Sequence, residues 1–129
     1  MIPKDDIDTP ALLLDLDVLE ANIAHVAQSC RANGVNWRPH FKGHKTIEIA
    51  KRQLAAGAIG ITCAKLGEAE ILAAAGVRDI LIANQIVGDA KIARLVRLLD
   101  MADVIVSVDS IENIAALAAA THGKRLRVV

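Results

Sequence analysis

Apolar residues along the chain follow two patterns that alternate. Short continuous runs of Leu, Ile and Val are typical of strands buried on both faces, and longer segments with apolar residues every three or four positions are typical of amphipathic helices. The pattern predicts six strands, over residues 11–15, 36–42, 60–65, 79–84, 103–109 and 125–129. It also predicts a helix after each strand except the last.

Capping signals support these helices. Asp17 is predicted to cap the first helix, with Glu20 completing a capping box, and Ser110 is predicted to cap the fifth helix. The fifth helix is expected to bury an apolar stripe, which consists of Ile111, Ile114 and Leu117. Glycines stand shortly before four of the predicted strands, where helix-ending residues belong: Gly34, Gly57, Gly76 and Gly123.

Strands that alternate with helices predict an α/β domain with a parallel sheet, and no linker divides residues 1–129. An open doubly wound sheet usually carries a glycine-rich first turn, which is missing here. Polar residues instead follow the carboxyl ends of several strands: Asp15, Lys42, Lys65, Asn84 with Gln85, and Asp109. A (β/α)8 barrel builds its site at that rim, so the barrel is favoured, and about 250 residues would complete it.

Composition excludes some functions and favours others. The 15 basic and 15 acidic residues balance, so the chain has no general attraction to nucleic acid or to an anionic membrane. No apolar run approaches the length of a membrane span, and no apolar signal segment opens the chain. Cys30 and Cys63 fit no zinc motif and are expected to be reduced thiols of a cytoplasmic protein.

The run from Arg38 to Lys45 is the most informative segment. Alternation predicts that its basic or titratable side chains share one strand face: Arg38, His40, Lys42 and His44. Unpaired buried charge is costly, so this face must meet an anion, water or a chemical partner for a lysine. A metal is disfavoured, because His40 and His44 would stand roughly 13 Å apart on a strand.

A lysine at the end of a barrel strand is a natural Schiff-base nucleophile. It must be neutral to attack a carbonyl, and nearby cations favour the neutral form. Lys42 has such neighbours within its own segment, whereas Lys45 points the other way on an alternating count. The alternative for Lys42 is an ordinary solvated lysine, and spacing alone leaves both interpretations open.

Four segments together resemble one known family. Residues 9–17, 38–45, 63–70 and 79–84 are similar, in order, to the N-terminal half of the D-threonine aldolase and D-serine dehydratase family. The most specific motif is Arg38-Pro39-His40-x-Lys42-x-His44-Lys45. The resemblance implies the alanine-racemase-like, fold-type III pyridoxal phosphate (PLP) architecture, which is a barrel followed by a C-terminal β-domain. It also implies that Lys42 is catalytic and binds PLP as a Schiff base.

The chain departs from the family at two positions and in length. Phe41 and Gly43 replace the usual alanine and threonine beside the lysine, and Phe41 is expected to face the helical layer. In the family, the phosphate-binding loops and the ligands of a divalent metal lie beyond the sixth strand. We therefore expect a partial barrel domain over residues 1–129, inactive alone, with open sheet edges that favour poor solubility or oligomers such as a homodimer.

The resemblance implies a PLP-dependent lyase acting on D-β-hydroxy amino acids, by aldol cleavage or by dehydration. His40 is expected to line the cofactor, with a hydrogen-bonded core histidine as the equal alternative. Lys65 and Asn84 are candidate rim contacts, and Arg38 is expected to form a structural ion pair. Three other functions stay open: an amino-acid racemase, a PLP carrier without catalysis, and an α/β module without a cofactor.

Overall fold

The computed structural model describes residues 2–129, which form a parallel sheet with helices packed against it. The strands of the sheet are β1 (Ile61–Cys63), β2 (Asp79–Ile82), β3 (Asp103–Val106) and β4 (Arg127–Val128). The α-helices are α1 (Leu16–Ala32), α2 (Ile47–Ala55), α3 (Leu66–Ala74), α4 (Asp89–Leu98) and α5 (Ile111–Thr121). Two short 3-10 helices lie at Lys4–Asp6 and Phe41–Gly43.

The strands lie in the sheet in the order of the chain, and every pairing is parallel. This arrangement confirms the last four predicted strands, although each is shorter than its predicted range. Because successive parallel strands are joined by helices, all the carboxyl ends of the strands lie at one edge of the sheet. That edge is where the predicted polar residues are expected to gather.

In place of the predicted second strand, the structure has only an extended segment beside β1. Thr62 N–H donates to the carbonyl of Pro39 at 2.8 Å, and His40 forms an isolated parallel bridge with Thr62. Proline has no N–H to donate to a ladder, which limits pairing at this position. The prediction of a strand through Lys42 is therefore wrong: the segment ends at His40, and a 3-10 turn follows over Phe41–Gly43.

The hydrophobic core lies between the sheet and helices α3, α4 and α5. Side chains that alternate along the first three strands point into it and are fully buried: Ile61, Cys63, Ile80, Ile82, Val104 and Val106. Each buried aliphatic side chain contributes about 1.5–3 kcal/mol relative to exposure. The other face of the sheet, which carries Thr62, Leu81 and Ile105 in register, has no helix packed over it among residues 2–129.

The predicted first strand, over residues 11–15, is wrong in this structure. Leu12 is 100% exposed, Leu13 and Leu14 are more than half exposed, and the segment has no strand partner among residues 2–129. An apolar run forms a buried strand only when a neighbour supplies hydrogen bonds and cover. The cap also differs from the prediction: Asp15, and not Asp17, accepts the hydrogen bond from Val18 N–H, at 3.1 Å.

Helix α5 begins where the sequence predicts but buries a different stripe. The Ser110 hydroxyl accepts from Asn113 N–H at 3.1 Å, which confirms the cap. Leu117 is buried as expected, whereas Ile111 is 80% exposed and Ile114 is also exposed. The side chain of Asn113 donates to the carbonyl of Ile86 at 2.9 Å, so the buried face of α5, which carries Asn113 and Leu117, lies toward the loop after β2.

Charged side chains form a network near the amino ends of β2 and β3. Arg38 Nη1 lies 2.6 Å from Asp79 Oδ1, which confirms the structural ion pair predicted for Arg38. Arg127 Nη2 lies 3.1 Å from the same Asp79 oxygen and 2.9 Å from Asp103 Oδ2. The network connects the extended segment, β2, β3 and β4 at the end of the sheet opposite to Lys42.

This network explains a glycine immediately before β1. A Cβ at Gly60 would lie 2.1 Å from Arg38 Nη1 and 2.5 Å from the carbonyl oxygen of Asp79. We predict that Gly60→Ala lowers the free energy of unfolding by roughly 1–3 kcal/mol, because the guanidinium or the backbone must move. Urea unfolding of the purified protein, followed by circular dichroism, measures this change.

The matched control is Gly43→Ala, because a Cβ at Gly43 would meet no atom within 4 Å. We expect this variant to change the free energy of unfolding by less than about 0.5 kcal/mol. Equal stability of the two variants would contradict the steric role assigned to Gly60.

Candidate functional site

The carboxyl edge of the sheet brings together side chains from several loops. Gln85, after β2, donates from Nε2 to Asp109 Oδ2 at 2.9 Å, and Asn84 Nδ2 lies 3.4 Å from the carbonyl oxygen of Ala64. These hydrogen bonds connect the ends of β1, β2 and β3. The structure therefore joins three of the predicted rim positions, whereas Asp15 serves as the cap of α1 instead.

Lys42 lies at the same edge, in the middle of the 3-10 turn Phe41–Gly43. The Phe41 side chain is 3% exposed and anchors the turn in the core, which confirms that it packs away from the lysine. The N–H of Lys45 closes the turn by donating to the carbonyl of Phe41 at 2.8 Å. The result is a fixed backbone with an exposed Lys42, and no carboxylate among residues 2–129 forms an ion pair with that lysine.

The predicted common face of four basic residues holds only for Arg38 and His40. Arg38 pairs with Asp79, and His40 is in register with Thr62, so both lie on the face that no helix covers. The turn then breaks the alternation. His44 lies beyond the turn, with its ring edge-on to Phe41 and the two ring centroids 5.4 Å apart.

His40 is held as a neutral imidazole beside the lysine. Burial lowers the pKa of His40, the positive charge of Lys42 lowers it further, and the negative charge of Glu68 opposes both effects. The Nδ1 atom accepts a hydrogen bond from Lys42 N–H at 3.2 Å, so the ring proton lies on Nε2. His40 therefore offers a neutral N–H donor on the open face of the sheet.

His44 has a structural role at the start of α2. Its Nδ1 accepts from Thr46 N–H at 3.1 Å, and burial lowers the pKa of His44 while Gln53 and Thr46 oppose that shift. With both Nδ1 atoms engaged by backbone, His40 and His44 do not form a chelating pair. Residues 2–129 hold no group of three or more His, Cys, Asp or Glu side chains arranged to bind a metal ion.

Glu68 is the site residue that sequence reasoning missed. It lies in the first turn of α3 and is buried, with Oε2 accepting from Ala64 N–H at 2.9 Å and Oε1 3.6 Å from Lys45 Nζ. Burial raises the pKa of the Cys63 thiol to about 12, and the Glu68 charge adds to that rise. The available signal was an acidic residue in the first turn of a helix that directly follows a strand.

A cleft of about 440 Å³ opens beside this edge, between the loops after β1 and β2. Lys65, Gln85 and Lys91 are among its lining residues, and Lys42 is not. Lys65 is exposed and Asn84 lines the same cleft, so these two predicted rim residues lie together, apart from the lysine turn. Lys42 stands on an open surface in the described part of the chain.

The parallel sheet and the lysine turn define a class of protein. The chain belongs to the family described as alanine racemase, N-terminal domain, whose model matches residues 14–129. The matched range includes the 38–45 motif and all the strands, which confirms the family predicted from the sequence.

Two curated relatives are lyases by name. The chain is 50% identical over 93 residues to D-threonine aldolase from Arthrobacter sp., a match that covers 72% of this chain and 24% of that protein. It is 51% identical over 77 residues to D-threo-3-hydroxyaspartate dehydratase from Delftia sp. strain HT23, which covers 60% of this chain and 20% of the relative. The matches therefore span about a quarter or less of the length of these relatives.

A solved relative shows the same fold. The crystal structure of D-threonine aldolase from Filomicrobium marinum superimposes with a TM-score of 0.97 at 43% identity, over 99% of this chain and 35% of that one. The fold is thus the N-terminal part of the alanine-racemase-like architecture. None of the described helices combines the length and apolar character needed to cross a membrane.

The contact between Lys42 and His40 generates a measurable prediction. Because the Lys42 charge lowers the pKa of His40, Lys42→Ala should raise that pKa toward its ordinary value. Titration of the His40 ring by NMR measures the shift. Lys51→Ala, which removes an exposed lysine from α2, should leave the His40 titration as in the wild type; an equal shift in both variants would refute a local effect of Lys42.

Proposed function

We propose that this protein is a PLP-dependent lyase of D-β-hydroxy amino acids and that Lys42 binds the cofactor. The observation that carries the proposal is the placement of Lys42, exposed on a turn that the buried Phe41 anchors at the carboxyl edge of a parallel sheet. Two relatives named D-threonine aldolase and D-threo-3-hydroxyaspartate dehydratase support the substrate class. Aldol cleavage and dehydration both remain within the proposal.

The residues at this edge suit PLP. A Schiff base needs an accessible amine, and Lys42 is exposed with no ion-pair partner among residues 2–129. When bound, PLP withdraws electrons from a bond at or next to the substrate Cα. We propose that the phosphate is held by residues outside the described segment, where the family has its phosphate-binding loops.

The residues of this chain have separate tasks in the proposed reaction. Lys42 Nζ would hold the cofactor through its carbonyl carbon and, when not bonded to the cofactor, would be an amine able to carry a proton. His40 donates from Nε2 on the open face and, because its pKa is lowered, adds no positive charge at neutral pH. We propose that Lys65 and Asn84 contribute further contacts to the site at the carboxyl edge of the sheet.

We also propose parts of the enzyme that lie outside residues 2–129. We propose a complete barrel, with residues 1–129 as one part of its first domain, followed by a β-domain. We also propose a divalent metal bound outside this segment. The solved structure of a variant of D-threo-3-hydroxyaspartate dehydratase is described as a metal-free form, which supports a metal in that relative. Free thiols at Cys30 and Cys63 support a cytoplasmic location.

The test of this proposal is covalent labelling of Lys42. PLP is added to the protein encoded by the complete reading frame, borohydride is added, and the modified peptide is identified by mass spectrometry. We expect an adduct on Lys42 in the wild type and its complete loss in Lys42→Ala. Lys51→Ala should retain the adduct. An equal adduct in Lys42→Ala and wild type would overturn the assignment.

The reaction itself is tested by product analysis. Incubation with D-threonine should give glycine and acetaldehyde if the protein is an aldolase, and an oxo acid with ammonia if it is a dehydratase. The family description includes alanine racemase, so racemisation is the second candidate. Appearance of the opposite enantiomer at Cα, without cleavage or elimination products, would favour the racemase.

We propose that the 129-residue chain self-associates when it is expressed alone. Leu12, Leu13 and Leu14 are exposed, and β4 is an edge strand whose Val128 is half exposed. Exposed apolar runs and open sheet edges favour pairing between chains. Size-exclusion chromatography with light scattering should show a dimer or larger species, and a stable monomer would contradict the proposal.

A further inference from the structure

Glu68 is a nearly buried carboxylate with two partners. Its side chain is 10% exposed, and one oxygen accepts from Ala64 N–H at 2.9 Å while the other lies 3.6 Å from Lys45 Nζ. A buried charge persists when it is paired and hydrogen-bonded. Ala64 directly follows β1, and Lys45 closely follows the lysine turn, so one side chain connects the sheet to that turn.

Lys45 ends the turn with an unusual backbone conformation. Its φ is +50°, in the left-handed region that a residue with a side chain rarely adopts. Such a conformation costs about 1–3 kcal/mol and persists only where surrounding contacts hold it. Two contacts do so: Lys45 N–H donates to the carbonyl of Phe41, and Lys45 Nζ faces Glu68.

We propose that Glu68 is a positioning residue for Lys42. Through Lys45, it holds the Phe41–Gly43 turn against the carboxyl end of β1, so that the Lys42 amine meets the cofactor carbonyl in a narrow range of orientations. This inference rests on the proposed function, in which Lys42 binds PLP. Glu68 itself does not touch the reacting atoms in this role.

The test compares Glu68→Gln with a matched control on the same helix. The side-chain amide of this variant can still accept from Ala64 N–H but carries no charge toward Lys45. The change therefore removes the ion pair, together with the negative charge that acts on His40 and Cys63. Glu70→Gln removes an ion pair with Arg94, whose Nε lies 2.9 Å from the carboxylate, on the same helix as Glu68. Each variant is made in the protein encoded by the complete reading frame.

The measurements are the rate of imine formation with added PLP, followed by visible absorbance, and the share of borohydride-fixed adduct on Lys42. We expect Glu68→Gln to slow imine formation by about tenfold and to spread adduct onto other lysines, because small displacements of a reacting group are costly. Glu70→Gln should match the wild type in both measurements.

Variants of Lys45 test the route of the effect. Lys45→Met should slow imine formation as much as Glu68→Gln does. The double variant should be no slower than either single variant. Lys45→Arg keeps the positive charge and should keep the wild-type rate. Circular dichroism melting gives the folded fraction, and rates are expressed per folded molecule. A merely structural role would lower the melting temperature and leave that corrected rate unchanged.

The outcomes separate this inference from the proposed function. A wild type without an adduct on Lys42 overturns the proposed function. A wild type with that adduct, and a Glu68→Gln variant of equal rate and equal adduct distribution, overturns the positioning role alone. If the slowing factors of Glu68→Gln and Lys45→Met on the rate of imine formation multiply in the double variant, the two residues act independently. That result overturns the route through Lys45.

Discussion

The hydrogen bond from Thr62 N–H to the carbonyl of Pro39 decides where Lys42 lies. It attaches the extended segment to the edge of the sheet at the last point where that segment can pair, because the chain turns after His40. The 3-10 turn with the exposed Lys42, and then the start of α2, follow shortly after this bond. The buried Phe41 then holds the turn from the core side.

Strand direction gives neighbouring basic residues opposite roles. Arg38 lies toward the amino end of the sheet, where Asp79 neutralises it, and Lys42 lies at the carboxyl edge, where no carboxylate among residues 2–129 pairs with it. Paired charge stabilises the amino end of the sheet, and a side chain without an ion-pair partner is exposed at the carboxyl edge. This separation suits the role proposed for Lys42, since a carboxylate partner would favour the protonated form of a lysine.

The likeness to D-threonine aldolase suggests a reason why one face of the sheet is uncovered. With a TM-score of 0.97 over 99% of this chain, the open sheet has the geometry of part of a larger protein. That face carries the polar side chains of Arg38, His40 and Thr62 beside the apolar Leu81 and Ile105, whereas an ordinary core would be apolar throughout. Polar groups on an uncovered face suit the proposed site, which several strand ends would form.

Much of this protein could be predicted from local pattern. The helices, the strands from β1 onward, the Ser110 cap, the Arg38 ion pair and the direction of Phe41 all follow from periodicity or from the cost of unpaired charge. The family followed from the 38–45 motif and is confirmed. These features depend on interactions between near neighbours, or on a rule that holds wherever the partner lies.

Other features depend on contacts that a local pattern does not contain. The exposed leucines at 12–14 were predicted to form a buried strand. The prediction failed because periodicity reports apolar character and not the presence of a neighbouring strand. The end of the second strand at His40 and the burial of Asn113 in place of Ile114 were decided by Pro39, Thr62 and Ile86. The sequence by itself determined that Lys42 comes at the end of an extended segment. Only the tertiary structure placed Glu68 beside Lys45, because a contact between residues so far apart in the chain depends on how the chain returns to itself.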